Sequence, residues 1–224
     1  MICLLTRHNS YVGREYADSL IQSGLKFVVA AFGDHPPIER MEEIRCGGHW
    51  KPLEIEKIGV ARKVERFASI TDPRFHEFIR KNEYQFAIQG DIGEIAGRSF
   101  LNLFPNGIIN FHPGDLPEYR GCNAPEWQIL EGNSVICTAH LLDEGIDTGP
   151  IIKKKELALK YESYSKMRAS VYPAVGKFVA ELSTELISQR RIRAIPQGSG
   201  NHRRRMPHEI LEKVCQAIRE IEDR

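Results

Sequence analysis

Three residues in one half of the chain carry side chains of catalytic type, and their spacing would let them meet. Asn110 and His112 end an apolar stretch at positions i and i+2, which places both on the same face of a strand. Asp147 lies in the segment 143–150, whose glycines and proline bend the backbone and could deliver its carboxylate to the same place. An imidazolium and an amide can stabilise a developing oxyanion, while a carboxylate orients the imidazole and raises its pKa. The set suits addition to a carbonyl carbon; the alternative is a polar loop in which His112 caps the strand and Asp147 satisfies a turn.

The elements that must position these residues follow an α/β pattern. Short apolar runs without alternation, which are typical of strands covered on both faces, occur at Ile2–Leu5, Phe27–Phe32, Phe86–Ile88 and Gly107–Phe111. Ser134–Leu142 and Ile151–Leu157 are predicted as two more strands with no helix between them, which indicates an antiparallel addition to the sheet. The predicted fold class is therefore α/β and Rossmann-like, with a mainly parallel sheet and helices on both faces. Open sheets of this class bind ligands at the carboxyl ends of their strands.

Helices are expected between and after these strands. Spacing and start signals predict them around Ala17–Ile21, from Asp72-Pro73, over Phe100–Phe104, from Asn123 to about Gly132, through Val171–Leu186 and through Ile210–Ile221. Pro173 should lie near the start of the long helix or kink it. Asp34–Lys57 holds three prolines and two glycines and is predicted to be mostly loop. We divide the chain into a catalytic domain, residues 1–195, and a short helical extension, residues 196–224.

Composition narrows the class of protein. The 224 residues are 42% hydrophobic and 27% charged, which is ordinary for a globular protein and excludes a disordered or collagenous chain. Lys plus Arg number 31 against 30 Asp plus Glu, so a net charge of +1 gives no field that would attract nucleic acid. The five cysteines are scattered and predict neither a disulfide framework nor a zinc site. The apolar amino-terminal run is too short for a signal peptide or membrane span, so we expect a cytoplasmic protein without a membrane partner.

Two long segments resemble the signatures of a known family. Residues 110–121 read N-F-H-P-G-D-L-P-E-Y-R-G and resemble the N-x-H-P/G-x-x-L-P-x-Y-R-G segment of the folate-dependent formyltransferases. Residues 140–152 read H-L-L-D-E-G-I-D-T-G-P-I-I and resemble the second signature, H-x-x-D-x-G-x-D-T/G-G-x-I, in the same order. Tyr172-Pro173 also has a counterpart in many members. The clear resemblance covers Phe86–Leu182.

The resemblance implies transfer of a formyl group from N10-formyltetrahydrofolate to an amine, with no metal ion. By position, Asn110, His112 and Asp147 match the family's catalytic triad. Asn110 and protonated His112 would stabilise the oxyanion, while Asp147 would hold His112 and assist proton removal from the amine. The folate would be bound by the loop after Phe86–Ile88 and by the segment before Asp147, through Gln89, Gly90, Asp91, Ile92, Gly93, Ile95 and Asp143. The glycines would permit close backbone approach to the pterin; the alternative is an ordinary βα loop.

The amine acceptor depends on the branch of the family. The glycinamide ribonucleotide branch carries a Gly/Ser/Asn-rich phosphate loop, where this chain has Thr6-Arg7-His8-Asn9-Ser10. The tRNA branch carries a further C-terminal β-barrel and the hydrolases an added N-terminal domain, and we expect neither here. The R-G-C-N run at Arg120–Asn123 looks more like the sugar enzymes. We therefore expect an amino-deoxysugar linked to a nucleoside diphosphate. The alternatives are a phosphoribosylglycinamide formyltransferase-like enzyme or a non-catalytic folate or sugar-nucleotide binding protein.

Cationic side chains are the expected contacts to the acceptor or its phosphates, namely Arg7, His8 and Arg120; each could equally be a surface or salt-bridged residue. Relatives often carry Ser-Leu where this chain has Gly114-Asp115, so Asp115 would either alter the acceptor pocket or occupy a solvated turn. The basic run His202–Arg205 is predicted to be a solvated face before the last helix. The apolar stripe of that helix would close the core or pair with a second copy, which leaves a homodimer open.

Overall fold

The computed structural model describes residues 1–8, 10–33, 46–51, 57–58, 63–189 and 191–222. Most of the predicted loop Asp34–Lys57 and the residue Asn9 lie outside the described residues. In chain order the elements are β1 (Ile2–Arg7), α1 (Tyr11–Gln22), β2 (Phe27–Phe32), β3 (Val64–Phe67), α2 (Pro73–Lys81), β4 (Phe86–Gly90), α3 (Arg98–Leu101), β5 (Ile108–His112), β6 (Arg120–Gly121), α4 (Ala124–Leu130), β7 (Ile136–Leu141), β8 (Ile151–Glu156), α5 (Tyr164–Ile187), β9 (His202–Arg203) and α6 (His208–Glu222).

The main sheet has seven strands in the order β3-β2-β1-β4-β5-β7-β8. The first five in this order are parallel to one another. β7 is antiparallel to β5, and β8 is antiparallel to β7. The strand order reverses between β1 and β4, which is where open sheets of this kind form a ligand crevice at their carboxyl ends. The predicted α/β class, the mainly parallel sheet and the antiparallel addition are confirmed.

Helices cover both faces of the sheet, as predicted. One core joins alternate strand residues such as Leu4 and Phe111 to apolar side chains of α1, α5 and α6. The other core joins the opposite set, including Leu5 and Ile108, to Phe75 of α2 and Phe100 of α3. Because side chains alternate along a strand, Asn110 and His112 share the second face with Ile108.

Side-chain caps explain where the longer helices begin. Asp72 accepts a hydrogen bond from the backbone N–H of Arg74 at 2.9 Å, with Pro73 in the first turn, as the sequence predicts. Ser163 caps α5 in the same way, so this helix begins at Tyr164 and contains Pro173 in its interior. The expectation that Pro173 lies near its start is therefore wrong. The helix predicted over Phe100–Phe104 is also wrong in extent: α3 ends at Leu101, and residues 102 and 103 form a turn.

The carboxyl-terminal residues fold back onto the domain. Ile195 pairs with Ile151 at the edge strand β8, and β9 pairs with β6 in a two-stranded parallel sheet. Val214 and Ile218 of α6 are buried in the first core, so the apolar stripe of the last helix closes the core. Within the described ranges, every helix is too short or too polar to cross a membrane.

Candidate active site

Asn110 meets a second histidine on the neighbouring strand. The register of β5 and β7 places Asn110 directly opposite His140, whose side chain is 1% exposed. The two side chains are in contact, with 3.0 Å between Asn110 Nδ2 and His140 Nε2. His140 Nδ1–H donates to the carbonyl oxygen of Leu141 at 2.9 Å, because a carbonyl can only accept. The contact with His140 therefore fixes the orientation of the Asn110 amide.

His112 is held between two acceptors. Its Nε2–H donates to the carbonyl oxygen of Tyr119 at 2.6 Å, and its Nδ1 lies 3.5 Å from Asp147 Oδ2. Burial lowers the pKa of His112, outweighing Asp147 and the Tyr119 carbonyl, which raise it; His140 lowers it further. The expectation that Asp147 raises this pKa holds for that single interaction, but the net direction is the opposite because desolvation of the ring is the larger effect.

Asp147 completes the cluster as an ionised carboxylate. Its Oδ2 accepts the backbone N–H of Gly121 at 2.8 Å, and its Oδ1 lies 3.7 Å from His140 Nε2. Burial raises the pKa of Asp147, but His140, His112 and the Gly121 N–H stabilise the charge and hold the pKa at about 2. The structure therefore brings Asn110, His112 and Asp147 together around His140.

The loop that carries Asp147 reaches this place by an indirect route. β7 runs antiparallel to β5, so its last residue pairs with Ile109, about 10 Å along the strand from His112. Segment 142–150 then folds back along the face of the sheet. Asp143 stabilises this turn, because its Oδ1 accepts the N–H of Gly145 at 3.1 Å and the hydroxyl of Thr148 at 2.7 Å. Gly149 is required here, since a Cβ would overlap the carbonyl oxygen of Leu141.

The loop after β5 is packed tightly against the imidazole of His112. A Cβ on Gly114 would lie 2.5 Å from His112 Nε2 and 2.6 Å from the Tyr119 carbonyl oxygen. Thr138 fixes the loop from β7 by donating its hydroxyl to the carbonyl of Gly114 at 2.7 Å. Asp115 forms an ion pair with Lys154 of β8 at 2.5 Å. Asp115 was expected either to alter the acceptor pocket or to occupy a solvated turn. Its ion pair instead connects the loop after β5 to the edge strand β8.

The glycines of the predicted folate loop make room for protein atoms. A Cβ on Gly90 would lie 2.9 Å from Gly13 Cα, so this glycine lets α1 approach β4. Gly93 has a φ of 72°, and a Cβ there would lie 2.5 Å from Cδ of Arg7. These two glycines therefore permit close packing of Gly13 and Arg7, and their close approach to a pterin stays a prediction.

The two predicted folate segments nevertheless flank one region. Arg98, just after the first segment, pairs with Glu144 of the second at 2.7 Å. Ile92 is 2% exposed and anchors its loop, whereas Ile95 is 81% exposed and Ile146 is 57% exposed. One uncovered isoleucine on each loop gives this region an apolar character that neither loop needs for its own folding.

The three predicted acceptor contacts fall in two places. Arg7 forms an ion pair with Asp91, which also accepts the hydroxyl of Ser10 at 3.0 Å. Arg7 Nε is buried without a hydrogen-bond partner among the described residues. Arg7 lines a cleft of about 230 Å³ at the carboxyl ends of β1, β2 and β3, beside the loop after β4. His8 follows directly, and its N–H donates to Phe32 at 3.0 Å.

Arg120 lies on the other side of the catalytic cluster. Its guanidinium donates to Gln197 Oε1 and to the Gly198 carbonyl, each at 2.9 Å. The basic run is also partly engaged: Arg203 pairs with Glu131 at 2.8 Å and lies over the Tyr119 ring. The prediction of a solvated face is therefore wrong for Arg203, whereas Arg204 and Arg205 are exposed.

The described residues contain no group of three or more His, Cys, Asp or Glu side chains that could hold a metal ion. A larger groove of about 650 Å³ lies between α5 and the segment after β8, with Trp50 and several lysines in its walls. It contains none of the residues predicted for catalysis, folate or acceptor binding.

Comparison with known proteins agrees with this geometry. The model of the formyl transferase family matches residues 25–175, more than half of the chain. The protein therefore belongs to the formyl transferase family, and the resemblance stated from its two signatures is confirmed. The methionyl-tRNA formyltransferase of Thermodesulfovibrio yellowstonii is 32% identical over 121 residues, which are 54% of this chain and 38% of that relative. The chain thus spans well under half the length of this curated relative.

Solved structures show the same fold at low sequence identity. An N-formyltransferase from Helicobacter canadensis, solved with folinic acid and dTDP-3-aminofucose, aligns over 97% of this chain and 80% of its own, with a TM-score of 0.63 and 15% identity. The phosphoribosylglycinamide formyltransferase of Streptococcus pneumoniae TIGR4 aligns over 84% of this chain and 98% of its own, with a TM-score of 0.58 and 18% identity. The predicted formyltransferase fold is confirmed.

Proposed function

We propose that the protein transfers the formyl group of N10-formyltetrahydrofolate to the amino group of a nucleotide-linked amino-deoxysugar. The observation that carries the reaction is that Asn110, His112 and Asp147 lie in one cluster, although Asp147 follows His112 by 35 residues in the sequence. An amide, an imidazole and a carboxylate in one cluster are the groups that addition to a formyl carbon needs.

Each member of the cluster has a distinct task in this reaction. The folate co-substrate supplies an electrophilic formyl carbon, which the acceptor's neutral amine attacks. Asn110 and the protonated imidazole of His112 stabilise the oxygen as it becomes negative. Asp147 holds the imidazole and accepts the proton that the attacking nitrogen loses, directly or through water. Cleavage of the carbon–N10 bond then requires a proton on N10. The proton that the amine loses to the cluster is thus matched by the proton that the leaving nitrogen takes up.

The surroundings of His112 favour the protonated imidazole when negative charge develops beside the ring. Nε2 donates to the Tyr119 carbonyl, and Nδ1 lies 3.5 Å from Asp147, so a second proton on the ring would face a carboxylate. Burial lowers the pKa of His112 in the free protein, whereas a negative oxygen beside the ring would raise it. The imidazolium is therefore stabilised more in the transition state than in the free protein, which is the condition for catalysis.

The region between the two folate segments suits a flat, partly apolar co-substrate. Exposed Ile95 on one loop and Ile146 on the other offer apolar contacts, and Gln89–Ile92 and Asp143 are proposed to supply polar ones. A folate has this combination of an aromatic ring and hydrogen-bonding edges. The structure from Helicobacter canadensis that shares this fold contains folinic acid, which supports the assignment.

Arg7 supports a phosphorylated acceptor. It stands at the crevice where the strand order reverses, and its buried Nε lacks a partner among the described residues. A guanidinium with an unused N–H suits a phosphate oxygen. His8 and Arg120 are proposed as further contacts to the acceptor. The dTDP-3-aminofucose in the Helicobacter canadensis structure supports a sugar nucleotide, whereas the sequence likeness to methionyl-tRNA formyltransferases favours a charged tRNA as the second candidate.

The test is to mix the protein with N10-formyltetrahydrofolate and each candidate amine. dTDP- and UDP-linked amino-deoxyhexoses, glycinamide ribonucleotide and methionyl-tRNA would be compared by tetrahydrofolate release and product mass. We expect formylation of a sugar nucleotide. Formylation of methionyl-tRNA alone would overturn the proposal that the acceptor is a sugar nucleotide. Release without any acceptor would indicate a hydrolase, and folate binding without turnover a binding protein.

A variant pair ties the reaction to the cluster. His112→Asn should abolish turnover and leave the fold intact, while His208→Asn, at an exposed position on α6, should retain full activity. Activity in His112→Asn would contradict the assigned role. Location in the cytoplasm and assembly as a homodimer stay predictions.

A further inference from the structure

A short segment of the carboxyl-terminal extension lies against the catalytic cluster. We call residues 197–203 the strap. It enters from Ile195 at the edge of the sheet and ends in β9, which pairs with β6. Its Gly198-Ser199-Gly200 composition indicates only a hinge, and the proposed function assigns the segment no role.

Gln197 connects the strap to the loop that carries Asp147. Its side-chain amide N–H groups donate to the carbonyl oxygens of Asp147, at 3.1 Å, and Gly149, at 2.6 Å. Its Oε1 accepts from Arg120, at 3.3 Å from Nε and 2.9 Å from Nη2. One amide therefore bonds the two loops on either side of His112.

The other end of the strap fixes the donor to the Asp147 carboxylate. The backbone N–H of Cys122 donates to Arg203 at 3.0 Å, and that of Arg120 donates to Asn201 at 3.2 Å. Gly121 lies between them with a φ of 90°, and a Cβ there would overlap the carbonyl oxygen of Arg203. The N–H of Gly121 is the group that donates to Asp147 Oδ2 at 2.8 Å.

We propose that Gln197 is a positioning residue, which sets the carboxylate of Asp147 against His112 by bonding the Asp147 backbone on one side and Arg120 on the other. This inference rests on the proposed function for the roles of Asp147 and His112. The strap thus belongs to the active centre, although it begins beyond the domain boundary that we expected at residue 195.

The need for such a residue follows from the path of the Asp147 loop. The loop folds back towards His112, and Asp147 itself has a φ of 54°, a left-handed conformation that is uncommon for a non-glycine residue. Without Gln197, the carbonyl oxygens of Asp147 and Gly149 lose this donor, and the Arg120 guanidinium keeps only its bond to the Gly198 carbonyl. A displacement of about 1 Å at a reacting group can cost about 100-fold in rate.

The first measurement follows His112 by NMR in protein labelled at histidine, with His112→Asn to identify its signal. Asp147, His140 and the Tyr119 carbonyl are the groups that face this ring. Asp147→Asn should lower the pKa of His112, because it removes the facing charge. Gln197→Met should lower the pKa in the same direction, and adding it to Asp147→Asn should change nothing further, because both act through one carboxylate.

The matched control is Gln85→Met. Gln85 also donates its amide to backbone carbonyls, those of Leu186, Ile187 and Gln189, but at the far end of α5. It should leave the pKa of His112 and the turnover unchanged. In the transferase assay, Gln197→Met should reduce kcat about 10- to 100-fold, while the Kd for 5-formyltetrahydrofolate stays within about 2-fold.

Each result bears on the inference separately from the proposed reaction. An unchanged pKa of His112 in folded Gln197→Met would overturn the inference even if the enzyme proved to be a sugar formyltransferase. Conversely, an inactive wild-type protein would overturn the proposed reaction and leave the titration readable. Gln197→Glu keeps the side-chain length and the bond to Arg120 but sets a carboxylate against two carbonyls, and it should reproduce the effect. If both variants unfold while Gln85→Met does not, Gln197 serves the fold as a whole, and the inference fails.

Discussion

Adding one methyl group at Gly114 is the most direct test of how the loop after β5 controls His112. The φ of Gly114 lies outside the left-handed region, so alanine is compatible with the backbone and only contacts decide its effect. The new Cβ would lie 2.5 Å from His112 Nε2, 2.6 Å from the Tyr119 carbonyl oxygen and 2.8 Å from the Cβ of Ala124. Carbon atoms pack favourably at about 3.5 Å from neighbouring heavy atoms. The His112 ring and the Tyr119 carbonyl must therefore each move away from the new Cβ by up to about 1 Å.

The size of the effect follows from that displacement. The bond between His112 and Tyr119 is 2.6 Å long and buried, and its loss costs about 1 kcal/mol. Overpacking of a closed site adds about 1–3 kcal/mol. We therefore expect Gly114→Ala to lower the free energy of unfolding by about 2–4 kcal/mol, and a shift of about 1 Å in the imidazole to lower kcat about 100-fold.

Urea unfolding followed by circular dichroism measures the stability, and tetrahydrofolate release measures kcat. Gly97→Ala is the control, because a Cβ at Gly97 meets no atom within 4 Å. It should cost less than about 1 kcal/mol and leave kcat unchanged. Gly114→Ser, which introduces the residue that relatives often carry, should behave like Gly114→Ala. A Gly114→Ala variant within about 0.5 kcal/mol of the wild type and with more than half its kcat would refute the reasoning.

Three further outcomes follow from the charges of the site. Asp147→Asn should lower kcat by about 10²- to 10⁴-fold, since it removes the proton acceptor and the partner of His112; a loss below 10-fold would contradict that role. The pKa of Asp147 falls from 3.8 to about 2 on folding, so its contribution of about 2 kcal/mol is complete above pH 4 and is lost as pH falls towards 2. The pKa of His112 is likewise lower in the folded state than its usual 6.5, so stability also declines as pH falls through 6.5. The urea midpoint should therefore fall as the pH is lowered from 7 to 3. A midpoint that rises on acidification would contradict both assignments. Arg7→Met should weaken binding of dTDP about 10-fold by calorimetry, whereas Lys81→Met, an exposed ion-pair partner on α2, should not; equal affinities would remove Arg7 from the acceptor site.

Local patterns predicted the central strands β1, β2, β4 and β5, because each contains an apolar run without alternation. Phe27–Phe32 forms a strand with the predicted bounds, and Asp72-Pro73 begins a helix, because each signal depends only on neighbouring residues. β3 was not predicted, since V-E-R-F at Val64–Phe67 mixes apolar and charged residues and its burial depends on pairing with β2. β6 and β9 have two residues each, too few for any period to be visible.

The site was predictable where it depends on signatures and not where it depends on topology. Asn110 and His112 share a face because strand alternation requires it. His140 stands at the start of the second signature, but its contact with Asn110 depends on β7 lying antiparallel beside β5. Gln197 gave no signal, because its partners are 48 to 77 residues away along the chain. The direction of the His112 pKa depends on burial, which spacing does not reveal.

The ion pair between Arg7 and Asp91 determines how an anion would be met at the crevice. A guanidinium with a carboxylate against it is a dipole, and its field fades within the Debye length of about 8 Å at physiological salt. A diphosphate approaching from solution would experience almost no electrostatic attraction until it contacts Arg7 and competes with Asp91 for it. Association should therefore proceed at nearly the same rate in dilute and in concentrated salt, with selection exercised at contact and not during the approach.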